Sequence, residues 1–142
     1  MGTQQSPQLL MERLRTAQNQ HDLDALVDCF DPDYQSEQPV YPARGFGGRD
    51  QARKNWSAIF RSTPDFRSEL LAVSEGDTVW AEWHWFGTRT DETRFEMRGV
   101  TICRVRNDRI QWMRLYMEEV QVASDGIDAT VRSLTHTSSQ DG

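Results

Sequence analysis

RFEMRGVTICRVRNDRIQWMRLYME, residues 94–118, is the stretch on which the fold turns. Apolar and polar side chains alternate with period two on both sides of Asn107-Asp108. That reads as two strands, Arg94–Arg106 and Ile110–Val122, folded into a hairpin. A two-residue turn at Asn107-Asp108 pairs Arg106 with Arg109. It sets Met97, Gly99, Thr101 and Cys103 beside Trp112, Arg114, Tyr116 and Glu118, giving two mixed faces. A three-residue loop with Asp108 left-handed pairs Val105 with Arg109 instead. One face is then apolar (Phe95, Met97, Gly99, Thr101, Cys103, Met113, Leu115, Met117) and the other charged (Arg94, Glu96, Arg98, Arg104, Trp112, Arg114, Tyr116, Glu118). A slip of one residue exchanges every side chain between faces, so burial selects the coherent register and the three-residue loop is expected.

The same reasoning extends upstream. Phe66–Val73 and Thr78–Thr88 read as strands around a Glu75-Gly76-Asp77 turn. In the second of them Val79, Ala81, Trp83 and Trp85 form a wholly apolar face, expected inside. Trp80, Glu82, His84 and Phe86 face out. The opposite facing would bring Glu82, His84, Arg98, Arg114, Tyr116 and Glu118 together inside as a charged site.

Before the strands the period is helical. Ser6-Pro7 is a cap followed by a first-turn proline, and Leu10, Leu14 and Ala17 form a stripe. Asp22 caps a second helix carrying Leu23, Leu26, Val27 and Phe30, which Asp31-Pro32-Asp33 stops. After an extended piece at Tyr34–Gln38 and a loop rich in Pro and Gly, a third helix runs from Arg49 to Arg61 with Ala52, Trp56, Ile59 and Phe60 on one stripe. Helices first and meandering strands after make an α+β domain: a curved antiparallel sheet with the helices on one face. Residues 1–8 read as a flexible N-terminus, and residues 123–142, polar and including His136, as a disordered tail.

The chain has 142 residues and a formal net charge of −6, which suits one domain and opposes binding to a nucleic-acid backbone. It has no apolar run long enough to span a membrane and no signal-peptide pattern at its start. Cys29 and Cys103 each lie in an apolar pattern and read as buried thiols of a reducing cytoplasm. No Cys, His or carboxylate set has metal-ligand spacing, and no cofactor is expected.

Four stretches then resemble the nuclear-transport-factor-2-like superfamily and its SnoaL-like (polyketide cyclase/ketosteroid isomerase-like) proteins. They are Ala17-Gln-Asn-Gln-His-Asp-Leu-Asp-Ala-Leu-Val-Asp-Cys-Phe30, Gly48-Arg-Asp-Gln-Ala52, Glu82-Trp-His-Trp-Phe-Gly-Thr88 and Arg109-Ile-Gln-Trp-Met-Arg-Leu-Tyr-Met-Glu118. The resemblance implies a cone over residues 9–122: a bent sheet wrapped around three N-terminal helices packed on its concave face, a central ligand cavity and a homodimer. It does not carry a mechanism with it. Where ketosteroid isomerases are similar to each other in a tyrosine and two aspartates, this sequence has Leu14, Gln38 and Thr101. Where limonene epoxide hydrolases carry an Arg and two Asp, it has Gly99, Thr101 and Leu115. The inward histidines of scytalone dehydratases have only His84 as a counterpart, and its face points outward.

The expected pocket follows from the faces. Tyr34, Ser36 and Gln38 share one side of the first strand and offer hydrogen bonds to a ligand, or satisfy one another as buried polar groups. Trp56, Phe60, Trp83 and Trp85 make an aromatic wall, or simply core. Met97, Thr101, Met113, Leu115 and Met117 complete an adaptable lining. Candidates for proton transfer are Gln38, Glu118, where SnoaL-like cyclases carry an acid, and His84 with Glu82. Against each stands a plain rim or surface role. Arg44 and Arg49 flank a Gly-rich loop and either meet an anionic ligand or stay solvated, and His21 reads as a surface residue. The outer face, with Trp80, Glu82, Arg98, Trp112, Arg114 and Tyr116, is aromatic enough to serve as a dimer interface. Two functions remain open: a cofactor-free isomerase, cyclase, dehydratase or hydrolase acting by acid–base chemistry on a hydrophobic oxygenated metabolite, or a ligand-binding or dimerising module without chemistry.

Overall fold

The computed structural model describes residues 6–135 and runs α1 (Pro7–Gln20), α2 (Leu23–Asp28), β1 (Phe30–Glu37), a 3-10 turn (Pro42–Arg44), β2 (Phe46–Gly47), α3 (Arg49–Ser62), β3 (Arg67–Ser74), β4 (Val79–Thr88), β5 (Arg94–Arg106), β6 (Arg109–Glu119) and α4 (Ile127–Thr135). Side-chain chemistry sets the helix ends. The Ser6 hydroxyl accepts from the Leu9 N–H at 3.2 Å with Pro7 in the first turn, and the Asp22 carboxylate accepts from the Ala25 N–H at 3.1 Å. Helix α1 therefore begins inside the segment expected to be flexible. Residues 1–5 lie outside the described residues.

The six strands form one curved, unclosed sheet in the order β2-β1-β6-β5-β4-β3. The pairs among β3, β4, β5 and β6, and β1 with β2, are antiparallel, but β1 lies parallel to β6. The sheet is thus mixed rather than purely antiparallel. A strand that enters from a helix, as β1 does from α2, is not bound by hairpin geometry to run against its neighbour. Phe30, expected on the helical stripe, is instead the first residue of β1, because Pro32 bars the helix from continuing.

At the β5–β6 hairpin the expected turn is wrong and the expected faces are right. Arg106 pairs with Arg109, and Asn107 and Asp108 both have left-handed φ (54° and 59°), so the tip is a two-residue turn. Between Arg104 and Val105 the register then shifts by one residue. Val105 pairs with Ile110 and Arg104 with Trp112, leaving Gln111 as an extra residue on β6. That bulge restores the pairing of Cys103 with Met113, Thr101 with Leu115 and Gly99 with Met117. Burial wins, but it acts through a bulge past the tip rather than through the loop.

Side chains pin the layers together. The Asn19 amide of α1 donates to the Ser68 carbonyl and accepts from the Ser68 N–H on β3 (3.0 and 2.7 Å), and Arg13 donates to the Asp108 carbonyl at the hairpin tip (3.3 Å). Arg109 donates to the Asp28 carboxylate (3.0 Å), and this hydrogen bond holds the Asp28 carboxyl below the usual carboxylate range. The core between helices and sheet contains Leu10, Met11, Leu26, Phe66, Trp83 and Ile110, none of them more than 1 % exposed. His21, read as a surface residue, is half-buried: it stacks on Phe60 at 4.4 Å and hydrogen-bonds the Phe66 carbonyl at 3.1 Å. Gly99 lets β5 and β6 close up, since a Cβ there would run into the Tyr116 carbonyl oxygen and the Met117 Cα.

Within residues 123–142, expected to be a disordered tail, Ile127–Thr135 form helix α4. Its apolar side chains face solvent: Ile127 is 75 % and Leu134 79 % exposed. His136 lies outside the described residues. No helix among the described residues is long and apolar enough to cross a membrane.

Candidate functional site: a chamber under the sheet

Between the helices and the inner sheet face lies a cavity of about 200 Å³. Alternation along β4, β5 and β6 turns Trp83, Trp85, Met97, Thr101, Met113 and Met117 toward it, with Leu115 beside them. β1 contributes Phe30, Tyr34 and Ser36, and Gln38 follows at its end. Leu14 and Gln18 of α1, one turn apart, close one side, and Ala52, Asn55, Trp56 and Ile59 of α3 close another. Arg44 and Phe46 complete the wall.

The polar groups of this wall differ in how well they are satisfied. The Trp83 indole N–H donates to the Thr101 hydroxyl at 2.9 Å, and Asn55 accepts from Gln51 at 2.7 Å. Tyr34 is 3 % exposed; burial pushes its phenol above the ordinary value, with a hydrogen bond to Ser36 opposing in part. Its hydroxyl therefore stays protonated and acts as a hydrogen-bonding group, not as a base. Arg44 donates to the Gln38 side-chain oxygen at 3.2 Å and lies 3.8 Å from the centre of the Tyr41 ring. By contrast, both side-chain polar atoms of Gln18 and the indole nitrogen of Trp85 are buried without a partner.

Among the described residues, no Asp, Glu, His, Lys or Cys lines the chamber. Two of the candidates for proton transfer therefore lie outside it, on the outer face that strand parity assigns them. His84 is on the outer face, its ring nitrogens 3.0 Å from Glu69 and 2.7 Å from Glu96. Glu118 is exposed on β6 opposite Arg98, because its parity is that of Arg114 and Tyr116. Only Gln38 of the three reaches the cavity. Phe60 is displaced: it packs among His21, Trp56 and Phe66 behind the wall. Gln18, Asn55 and Phe30 went unread as pocket residues. The signal for Gln18 was its place four residues after Leu14 on the apolar stripe.

The outer face is a different surface. Glu96 accepts from Arg94 at 3.1 Å and from His84, and these hydrogen bonds hold its carboxyl below the usual range. Arg114 donates to Glu37 at 3.2 Å and lies 4.6 Å from the centre of the Trp112 ring. Trp80 is half exposed and Tyr116 partly so, while Ile102 between their strands is covered. Cys29 and Cys103 are free and buried, and burial pushes the Cys103 thiol up to about 12.

The architecture has counterparts among solved structures. Wild-type IdmH, a candidate polyketide cyclase from Streptomyces antibioticus, matches with a TM-score of 0.69 and 21% identity over 80% of this chain and 93% of that one. SalBIII, an epoxide hydrolase/cyclase-like enzyme in pyran ring formation of salinomycin, matches at 0.68 and 19% identity, over 78% of this chain and 89% of its own. RV0760c from Mycobacterium tuberculosis, solved in complex with estradiol-17beta-hemisuccinate, matches at 0.68 and 17% identity, over 79% and 94%. At these identities the likeness is one of fold. No curated protein matches the sequence. The SnoaL-like domain matches residues 11–113, the span that builds most of α1, the helices α2 and α3, and all of the sheet but the end of β6, and the chain belongs to the SnoaL-like family.

Proposed function

We propose that this protein binds a hydrophobic, oxygen-bearing small molecule in the chamber and holds it by neutral hydrogen bonds, without acid–base chemistry. The observation that carries this reading is the composition of the wall: aromatic, aliphatic and methionine side chains with amides, hydroxyls and the Arg44 guanidinium, and, among the described residues, no carboxylate or imidazole. Isomerisation, cyclisation by enolisation, dehydration and hydrolysis each need a group that accepts a proton near neutral pH. The wall's phenol, Tyr34, is held protonated by burial. An apolar ligand gains by leaving water, at about 25 cal/mol per Å² buried. Gln38, Tyr34 and Ser36 supply the polar contacts that orient it. Steroid and polyketide chemistry in the names of structural neighbours supports the ligand class.

The same proposal includes a homodimer through the outer sheet face, supported by the exposure of Trp80 and Tyr116 there, and a cytoplasmic location, supported by the two free thiols. Because Trp56, Trp83 and Trp85 line the chamber, titration with hydrophobic probes followed by tryptophan fluorescence tests the reading. Gln38→Ala should weaken binding about fivefold with little change in melting temperature. A large fall in melting temperature would instead make Gln38 a structural residue, and a wild-type protein that takes up no hydrophobic probe would sink the chamber altogether.

A further inference from the structure

Resting on the binding chamber proposed above, we infer that its ligand is hydroxyl-bearing, an alcohol, phenol or enol whose O–H lies against the Gln18 amide in the interior. Gln18 is 1 % exposed, forms part of the chamber wall, and neither its Nε2 nor its Oε1 has a hydrogen-bond partner. Buried side-chain amides are nearly always satisfied, because leaving one without partners forfeits its hydration with nothing in return. The other polar groups of the wall show what satisfaction looks like: Thr101 and Asn55 each accept from a neighbour within 3 Å. On this wall Gln18 and the indole N–H of Trp85 are the exceptions; buried atoms of Arg15, Arg49, Thr63 and Ser68 also lack partners but lie away from the cavity.

The chemistry of these orphans selects the group that completes them. Gln18 presents a donor and an acceptor, and Trp85 adds a second donor. A ketone or ether offers acceptors only and leaves Oε1 bare. A carboxylate suits the Arg44 guanidinium, which already donates to Gln38, but it has no hydrogen to give Oε1 and sets its own oxygens against it. A hydroxyl does both at once: its O–H donates to Oε1 while its lone pairs accept from Nε2 or from the indole N–H. Leu14 and Trp83, also on the wall, require the rest of the molecule to be apolar.

Calorimetric titration with three bicyclic probes of the same shape tests this: 2-naphthol (donor and acceptor), 2-methoxynaphthalene (acceptor only) and 2-methylnaphthalene (neither). The wild-type protein should bind 2-naphthol about tenfold more tightly than 2-methylnaphthalene, with the ether between them. In Gln18→Met, which keeps the length and apolar stem, the three affinities should converge through loss of 2-naphthol binding alone, while the ligand-free protein melts no lower than wild type. Should that variant not fold, Gln18→Asn draws the amide back by one methylene and should shrink the same preference. Equal affinities for all three probes in the wild type would overturn the inference and leave the chamber standing. A preference that survives in the Gln18 variants would assign it elsewhere and overturn it too. Binding of none of the three would end both readings. If Gln18 were merely structural, its variants would melt earlier and lose all three probes in parallel.

Discussion

The two faces of β4, β5 and β6 are made by neighbouring residues of the same strands and obey different physics. On the inner face, Trp83, Met113 and Met117 are at most 4 % exposed and polar atoms are neutral and sparse. On the outer face Arg94, Glu96, His84 and Glu69 form a chain of charge-assisted contacts whose two ends, Arg94 and Glu69, are open to water. The inner face gains stability from removal of apolar area and close packing. The outer one gains little from each ion pair, since water screens it. Stability belongs to one side of the sheet and solubility or association to the other, a division set by parity alone.

The sharpest way to break that contrast is to truncate one tryptophan from each face. Trp83→Ala empties a fully buried site and should cost about 4 kcal/mol by denaturant unfolding. Trp80→Ala, three residues earlier on the same strand and 51 % exposed, should cost under about 1 kcal/mol in the monomer. Equal costs would erase the distinction. Next in size is Gly99→Ala, which pushes a methyl group into the backbone of β6 and should cost about 2 kcal/mol in the same measurement.

A smaller effect separates charge from packing. The Asp28 and Glu96 carboxyls are held below their ordinary range by hydrogen bonds from Arg109 and from Arg94 and His84. A folded-state pKa lower than the unfolded one stabilises above the unfolded value and is lost as pH falls through the folded value. Melting temperature should therefore hold steady near neutrality and drop through the acid range, and Asp28→Asn should flatten that drop. A variant as acid-sensitive as wild type would remove Asp28 from the account. The smallest effect on stability is expected from Arg114→Ala, which should weaken self-association in sedimentation while leaving probe binding intact. An unchanged dimer would take the interface away from this face.

How far the sequence could be read follows the same division. Period-two patterning was enough to give Trp83, Trp85, Met97, Thr101, Met113 and Met117 one common inner face, because burial leaves strands one choice of face. It was not enough to separate wall from packing behind it, so Phe60 was expected at the cavity and lies against His21. Nor does patterning mark a polar residue that serves from within an apolar stripe, which hid Gln18. Glu118 and His84 looked chemical because of their residue types, whereas parity alone decides that they face away. Helix α4 was missed because its flanks read as polar tail and none of its apolar residues is buried, so no packing pattern marks it.

One surplus amino acid fixes the polarity of the whole last strand. With the Asn107-Asp108 tip kept, drawing Gln111 into the ladder opposite Arg104 would carry β6 past its neighbour by a single step, turning Arg114 and Glu118 inward and Met113 and Met117 out. Dropping the Gln111 codon, by contrast, would merely iron out the kink: Trp112 would still meet Arg104 and Met113 still meet Cys103, so the greasy receptacle outlives that loss.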